Sequence, residues 1–124
     1  MSHFTHIKTR FQNFFYLEKV LNRLDISHKV QVSSKTILTP NIVIPQSNSY
    51  NIQFTWTGSE YELVVDLSFW QQPYTTQSFI DKVAQYYAEE VIIGESQKIG
   101  FRPIKYKVNV DGSNTLILER WKIR

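Results

Sequence analysis

The chain contains no cysteine. That one absence removes disulfides, thiolate metal sites and thiol nucleophiles together, and leaves the compartment unreadable from redox chemistry. Apolar runs are short, and none approaches the roughly 20 residues that span a bilayer, so no membrane insertion is expected. The N-terminal MSHFTHIKTR has no apolar centre, so no secretory signal is expected either. Glycine is scarce, at four residues, and they form no G-x-G-x-x-G, no P-loop and no G-x-S-x-G. Alanine is limited to Ala84 and Ala88, whereas Ile, Asn, Lys, Tyr and Phe are plentiful. That bias suits an AT-rich genome of the kind many organelles carry.

What is present is enough for one domain. At 124 residues the chain can bury a core without covalent staples. Its most informative stretch is Asn51 to Trp70, NIQFTWTGSEYELVVDLSFW. Gly58-Ser59 suits a two-residue hairpin turn, with Gly supplying positive φ. Thr57 then faces Glu60, and Trp56–Tyr61, Phe54–Leu63 and Ile52–Val65 oppose one another on one face. Gln53–Val64 and Thr55–Glu62 fall on the other. A one-residue slip would send the whole apolar set to water, so the register is over-determined. Trp56 is expected to be a buried aromatic and Glu62 a solvated carboxylate.

The rest of the chain reads as follows. Residues 3–9 suit a first strand. Asn13 can cap a helix over 14–24, whose Phe14, Leu17, Leu21 and Leu24 share a face with Val20 beside them. A short strand at 27–32 precedes an irregular loop region at 33–50, in which NIVIP can supply one strand ending at Pro45. After the hairpin, Phe69-Trp70 and Pro73-Tyr74 make a bulky turn into a second helix. That helix starts near Thr75 or Thr76 and runs to Ile99, closed by Gly100. Gly94 permits a break in it. Ile80, Val83, Ala84, Tyr87, Ala88 and Val91 form its expected buried stripe. Residues 101–110 and 115–121 make two last strands joined around Asp111-Gly112. The expected fold is α+β, a two-layer sandwich with a mostly antiparallel, half-wet sheet and two helices on one face, as a single domain over 1–124.

MSHFTHIKT at the start, FTWTGSEYELVVDLSFW in the middle, GESQKIGF after the second helix and LERWK near the end occur in this order. They resemble the hypothetical chloroplast open reading frame thirty-five family of plastids and cyanobacteria, across nearly the whole chain. That resemblance implies a plastid-encoded protein, in the chloroplast stroma, or in the cytoplasm if bacterial. It implies no activity, cofactor or catalytic residue, because the family has none established. Residues 33–50 match least.

Candidate chemistry is thin. His3 and His6 point to opposite faces of a strand and His28 stands alone, so ordinary surface or half-buried histidines are the reading over a metal site. Glu62 and Asp66 share a face but lie about 13 Å apart along a strand. Glu60 and Glu62, about 7 Å apart, have a glycosidase-like spacing but sit at an exposed turn. No catalytic, cofactor-binding or metal residues are assigned, and an enzyme is not favoured.

Charge is unevenly spread. Residues 1–50 carry six Lys/Arg against two acids, 51–96 carry Lys82 alone against seven, and 97–124 carry seven against two. The plain reading is a mixed surface whose ends fold together; the sharper one is a dipolar surface that orients a charged partner. On the last strands Lys105, Lys107, Arg120, Lys122 and Arg124 can form a nucleic-acid contact flanked by aromatics, against a solvated basic edge that discourages sheet aggregation. Phe79, Tyr86 and Ile93 recur every seven residues on the second helix. They suit packing against the first helix, with Ile93 nearer the surface, or an exposed strip for a protein partner. Trp70, Pro73 and Tyr74 suit an interface anchor or a cover on the core. The functional expectation is a non-enzymatic protein-binding or assembly factor, with a nucleic-acid-binding module as the alternative.

Overall fold

The computed structural model describes residues 4–32 and 39–120, those at 102–106, 108, 114 and 120 by their backbone alone. The elements are β1 (Thr5–Lys8), α1 (Phe14–Arg23), β2 (Lys29–Gln31), β3 (Asn41–Ile44), β4 (Ile52–Trp56), β5 (Tyr61–Val65), a 3-10 turn (Leu67–Phe69), α2 (Thr76–Lys98), β6 (Phe101–Val108) and β7 (Asn114–Arg120). This is an α+β fold with two helices. Its contacts divide the chain into two units, Met1–Tyr87 and Ala88–Arg124.

The first unit is built on a five-stranded sheet in the order β1-β5-β4-β3-β2, antiparallel at every pair. Its central hairpin has the register that the alternation predicts. Trp56 stands opposite Tyr61, Phe54 opposite Leu63, Thr55 opposite Glu62 and Gln53 opposite Val64. The Thr57 amide donates to the Glu60 carbonyl at 2.9 Å, and Gly58 takes φ 108° between them. The strand expected within NIVIP is β3, which pairs with β4 through Ile42–Phe54 and Ile44–Ile52. Part of the expected loop, residues 33–38, lies outside the described residues.

One face of this sheet carries Ile42, Ile44, Ile52, Phe54, Tyr61, Leu63 and Val65, all buried. Both helices close that face: α1 contributes Leu17, Val20 and Leu21 to the same core, and α2 contributes Phe79 and Val83. Each fully enclosed Leu, Ile, Val or Phe is worth about 1.5–3 kcal/mol relative to exposure. Trp56 departs from expectation. It is half-buried: it ends β4 beside the turn, packs against the core from its edge and meets the Tyr61 ring edge-on at 5.2 Å. Of this pair, Tyr61 is the ring that is wholly enclosed. Its hydroxyl donates to the Pro40 carbonyl at 2.7 Å. Burial, with smaller effects from Tyr87 and Glu18, pushes its pKa up to about 12.

The start of α1 is satisfied twice. Asn13 accepts from the Tyr16 amide at 3.1 Å, as an N-cap should. The Tyr87 hydroxyl accepts from the amides of Gln12 and Asn13 at 3.1 and 3.0 Å. A side chain of α2 thus finishes the end of α1, and the ring below it packs 4.6 Å from Phe11.

Helix α2 is opened by Thr75, whose hydroxyl accepts from the Ser78 amide at 3.1 Å. It runs unbroken through Gly94, and Gly100 follows with φ 89°. Its buried stripe differs from the expected one. Val83 is buried, and Ile80, Ala84, Tyr87 and Val91 are half-buried, but Ala88 is exposed and Phe79, outside the expected stripe, is the other buried apolar residue. The reason is the aromatic corner before the helix. Trp70 and Tyr74 pack on the Phe79 ring at 5.6 and 5.7 Å, and Phe54 meets it from the sheet at 6.2 Å. A large ring with three aromatic partners outweighs an alanine in setting which face turns inward.

The second unit contains the rest of α2 and the antiparallel pair β6–β7, which forms a two-stranded sheet of its own. Lys107 stands opposite Thr115 and Lys105 opposite Ile117, with an irregularity between Pro103 and Lys105. The turn is held by polar groups. The Asn109 amide donates to Ser113 O at 2.7 Å, and Asp111 Oδ1 accepts from both the amide and the hydroxyl of Ser113. Those bonds, the hydroxyl's first, hold the Asp111 carboxyl below its usual range.

Candidate functional site

Two features of the first unit stand out from its otherwise ordinary surface. They meet at Tyr74.

The first is a corner of exposed aromatics. Tyr50 and Phe69 stack face to face, with centroids 3.7 Å apart and planes 4° from parallel. They are 38% and 36% exposed, and Leu67 in the same 3-10 turn is 50% exposed. Sequence reasoning passed over Tyr50, since nothing local to SNSYN signals that it meets Phe69. The two loops that carry these residues are locked together by amide side chains. Gln46 Nε2 donates to the carbonyls of Tyr50 and Phe69, the latter at 3.1 Å. Its Oε1 accepts from the Gln71 amide at 2.8 Å and from Gln72 Nε2 at 3.1 Å. Asn48 Nδ2 donates to Phe69 O at 2.9 Å, while Ser47 Oγ and the Asn48 amide both donate to Gln71 Oε1. Trp70 Nε1 donates to Tyr74 O at 2.7 Å and fixes the next turn of the chain.

The second is a cavity of about 390 Å³ lined by Leu24, Ile26, Tyr74, Ser78, Phe79 and Lys82. Leu24 and Ile26 follow α1, and the others belong to the aromatic corner and the first turns of α2. Tyr74 is parallel to Phe79, with planes 8° apart, and partial burial raises its phenol pKa. Beside the cavity, Tyr86 carries the Arg23 guanidinium 4.5 Å and the Lys82 ammonium 6.0 Å from its ring centroid.

The residues singled out from sequence are therefore distributed. Trp70 and Tyr74 share the corner. Phe79, 3% exposed, is a core residue and closed to any partner. Tyr86 is half-buried and meets α1 through Arg23. Ile93 belongs to the second unit. Of the basic set, Lys107 is exposed on β6, Lys105 stands two positions along the same strand, and Arg120 pairs with Phe101 at the opposite end of the ribbon. Lys122 and Arg124 lie outside the described residues, as does His3. His6 Nδ1 lies 3.3 Å from Glu62 Oε1. The ring nitrogens of His28 lie 2.9 Å from Ile26 O and 3.3 Å from Glu18 Oε2. Among the described residues no three His, Asp or Glu side chains converge as metal ligands would, and no helix is long and apolar enough to cross a membrane.

Residues 20–117 match a family described as protein of unknown function (DUF1257), and the chain belongs to that family. Its relatives carry the name "Uncharacterized protein ycf35". That of Trieres chinensis is 59% identical over 121 residues, covering 93% of this chain and 94% of the relative. That of Guillardia theta is 41% identical over 127 residues, covering 98% and 99%. The one from Pyropia yezoensis is 38% identical over 126 residues, covering 98% of each. No solved structure matches the chain. These are proteins of plastid-bearing organisms, and the kinship places the chain in the plastid.

Proposed function

We propose that this protein is a non-enzymatic accessory factor of the plastid stroma that binds another protein through the aromatic corner. The observation that carries this reading is the combination of exposure and rigidity at Tyr50, Leu67, Phe69 and Tyr74. Aromatic anchors dominate protein interfaces, and an apolar cluster on loops that are already ordered loses little entropy when it docks. The Gln46 clamp and its neighbours supply that order, since six hydrogen bonds that involve the side chains of Gln46, Ser47, Asn48, Gln71 and Gln72 join residues 45–51 to 67–72.

The test is a Tyr50→Ser, Phe69→Ser double variant, compared with the native chain by affinity purification from plastid extract. The native chain is expected to retain a partner at stable stoichiometry. The variant is expected to keep its circular dichroism and thermal midpoint while losing that partner. Undiminished retention by a folded variant would refute the corner as the docking surface. The alternative is a nucleic-acid-binding module that uses Lys105, Lys107, Arg120, Lys122 and Arg124. It predicts salt-sensitive retention on single-stranded RNA or DNA that the corner variant leaves unchanged.

A further inference from the structure

We infer that the cavity between the end of α1 and the start of α2 is a binding site for a small, planar, apolar molecule bearing one acidic group, a carboxylate or a phosphate. This goes beyond the docking surface proposed above and does not depend on it.

Size comes first. At about 390 Å³ the cavity falls at the lower end of small-molecule sites, which span roughly 300–1,000 Å³. It suits a compact one- or two-ring molecule better than a long chain. Shape comes second. The side chains of Leu24 and Ile26 make apolar walls, and the Tyr74 ring lies parallel to the enclosed Phe79 ring behind it. A ring backed in this way favours a flat guest, through offset or edge-on contact.

Charge decides the rest. The polar residues of the lining are Tyr74, Ser78 and Lys82, and the Tyr74 hydroxyl donates to Gln72 Oε1 at 3.5 Å. Lys82 is the single base between residues 51 and 96, among seven acids. Even so, among the described residues it has no carboxylate partner. The nearest acid on its own helix, Asp81, accepts instead from Gln77 Nε2 at 2.8 Å. Asp25 lines a neighbouring depression with Asn22, Ser27 and His28, not this cavity. Lys82 lies 6.0 Å from the Tyr86 ring centroid and lines one side of an apolar opening. An acidic group placed there would gain a charge-assisted bond from Lys82 and a hydroxyl donor from Ser78, while the guest's rings displace water from the apolar walls.

The experiment uses two dyes that differ in one group. 8-Anilinonaphthalene-1-sulfonate has the rings and an acidic group; N-phenyl-1-naphthylamine has the rings alone. The native chain is expected to bind the sulfonate saturably at one site, read by dye fluorescence and by the change in tryptophan emission. Lys82→Glu, at an exposed helix position, is expected to weaken the sulfonate about tenfold or more, as loss of a charged hydrogen bond should. It should leave the neutral dye within about twofold. Ser78→Trp, which fills the opening from an exposed position, is expected to abolish both. Displacement of the dye by 1-naphthoate or by 1-naphthyl phosphate then tells a carboxylate site from a phosphate site. Equal sulfonate binding by Lys82→Glu, binding that fails to saturate, or displacement by neither competitor would overturn the inference. Circular dichroism of each variant separates these outcomes from unfolding.

Discussion

The β4–β5 hairpin and the β6–β7 ribbon are both antiparallel pairs whose turns contain a glycine at positive φ, but they hold register by different means. In β4–β5 burial alternates along both strands, and Ile52, Phe54, Tyr61, Leu63 and Val65 are all buried in the core that the two helices close. Any slip exposes that whole set, so the core itself enforces the pairing. In the ribbon, Lys107 and Thr115 form an exposed cross-strand pair and Ile117 is 41% exposed. Its turn is tied by Asn109, Asp111 and Ser113, while Leu116 and Leu118, on the face away from Ile117, are half-buried. Asn109 Nδ2 donates to both Ser113 Oγ and Thr115 Oγ1, at 3.0 and 2.8 Å. The hairpin is specified by what it covers; among the described residues of the ribbon, the densest ties are polar side chains within seven residues of chain.

The largest break in this comparison should come from the core side. Phe54→Ala is expected to cost about 3–5 kcal/mol, as for a fully enclosed aromatic. Ile117→Ala should cost no more than about 0.5 kcal/mol, as for an open site. Urea denaturation of the two variants measures the difference, and comparable losses would mean that the ribbon depends on burial as the hairpin does.

Glycine substitutions sharpen it. A Cβ added at Gly58 or Gly112 meets nothing within 4 Å, so the cost at φ +108° and +89° is backbone strain alone, about 1 kcal/mol. The structural outcome should nevertheless differ. Gly58→Ala is expected to keep the Phe54–Leu63 and Trp56–Tyr61 pairing, because the core still demands it. Gly112→Ala is expected to loosen or shift the Lys107–Thr115 pairing, because the turn is what sets it. Cross-strand proton contacts in nuclear magnetic resonance spectra decide between them. A shifted β4–β5 beside an intact ribbon would reverse the argument.

The smallest effect concerns the one hydroxyl buried in the hairpin. Tyr61→Phe removes the bond to Pro40 and is expected to cost about 1 kcal/mol at neutral pH. It should also remove an alkaline weakness. The folded pKa of Tyr61 is raised from the ordinary value of 10.0 to about 12, so this group's contribution is fully present below pH 10. Between pH 10 and 12 the unfolded chain gives up a proton that the folded chain retains, and stability falls as pH rises. Stability curves for the native chain and Tyr61→Phe should therefore close and then cross within that window, since a rise in pKa from 10.0 to about 12 is worth more than the roughly 1 kcal/mol that separates them at neutral pH. Parallel curves would show that Tyr61 titrates as it would in the unfolded chain.

Much of the first unit was legible because its signals are short-range. Two-residue alternation around Gly58-Ser59 dictated which side chains pair, the Asn13 side chain marked the start of α1, and Thr75 and Gly100 bracketed α2. The face of α2 was less legible. Its residues 79–91 offer two apolar stripes, and the choice of Phe79 over Ala88 depends on Trp70, Tyr74 and Phe54, which reach it from outside the helix. The half-exposure of Trp56 follows from its place at the end of β4, which alternation alone does not report.

The candidate sites were legible only in fragments. Trp70, Tyr74 and Phe79 are visible as aromatics, and Lys82 as a lone base in an acidic stretch. Their roles come from partners far off in sequence: Gln46 reaching the Phe69 carbonyl, Tyr50 stacking on Phe69, and Leu24 and Ile26 closing a cavity with Phe79 and Lys82. By itself the sequence determined the β4–β5 register, the helix ends and the exclusion of cysteine chemistry, because periodicity, caps and composition act within a few residues. The tertiary structure alone decided which helix face is buried, which loops are locked together, and that β6 and β7 pair apart from the larger sheet. Each of these is a choice among surfaces of similar local merit, settled by the area that distant segments bury and the hydrogen bonds they satisfy.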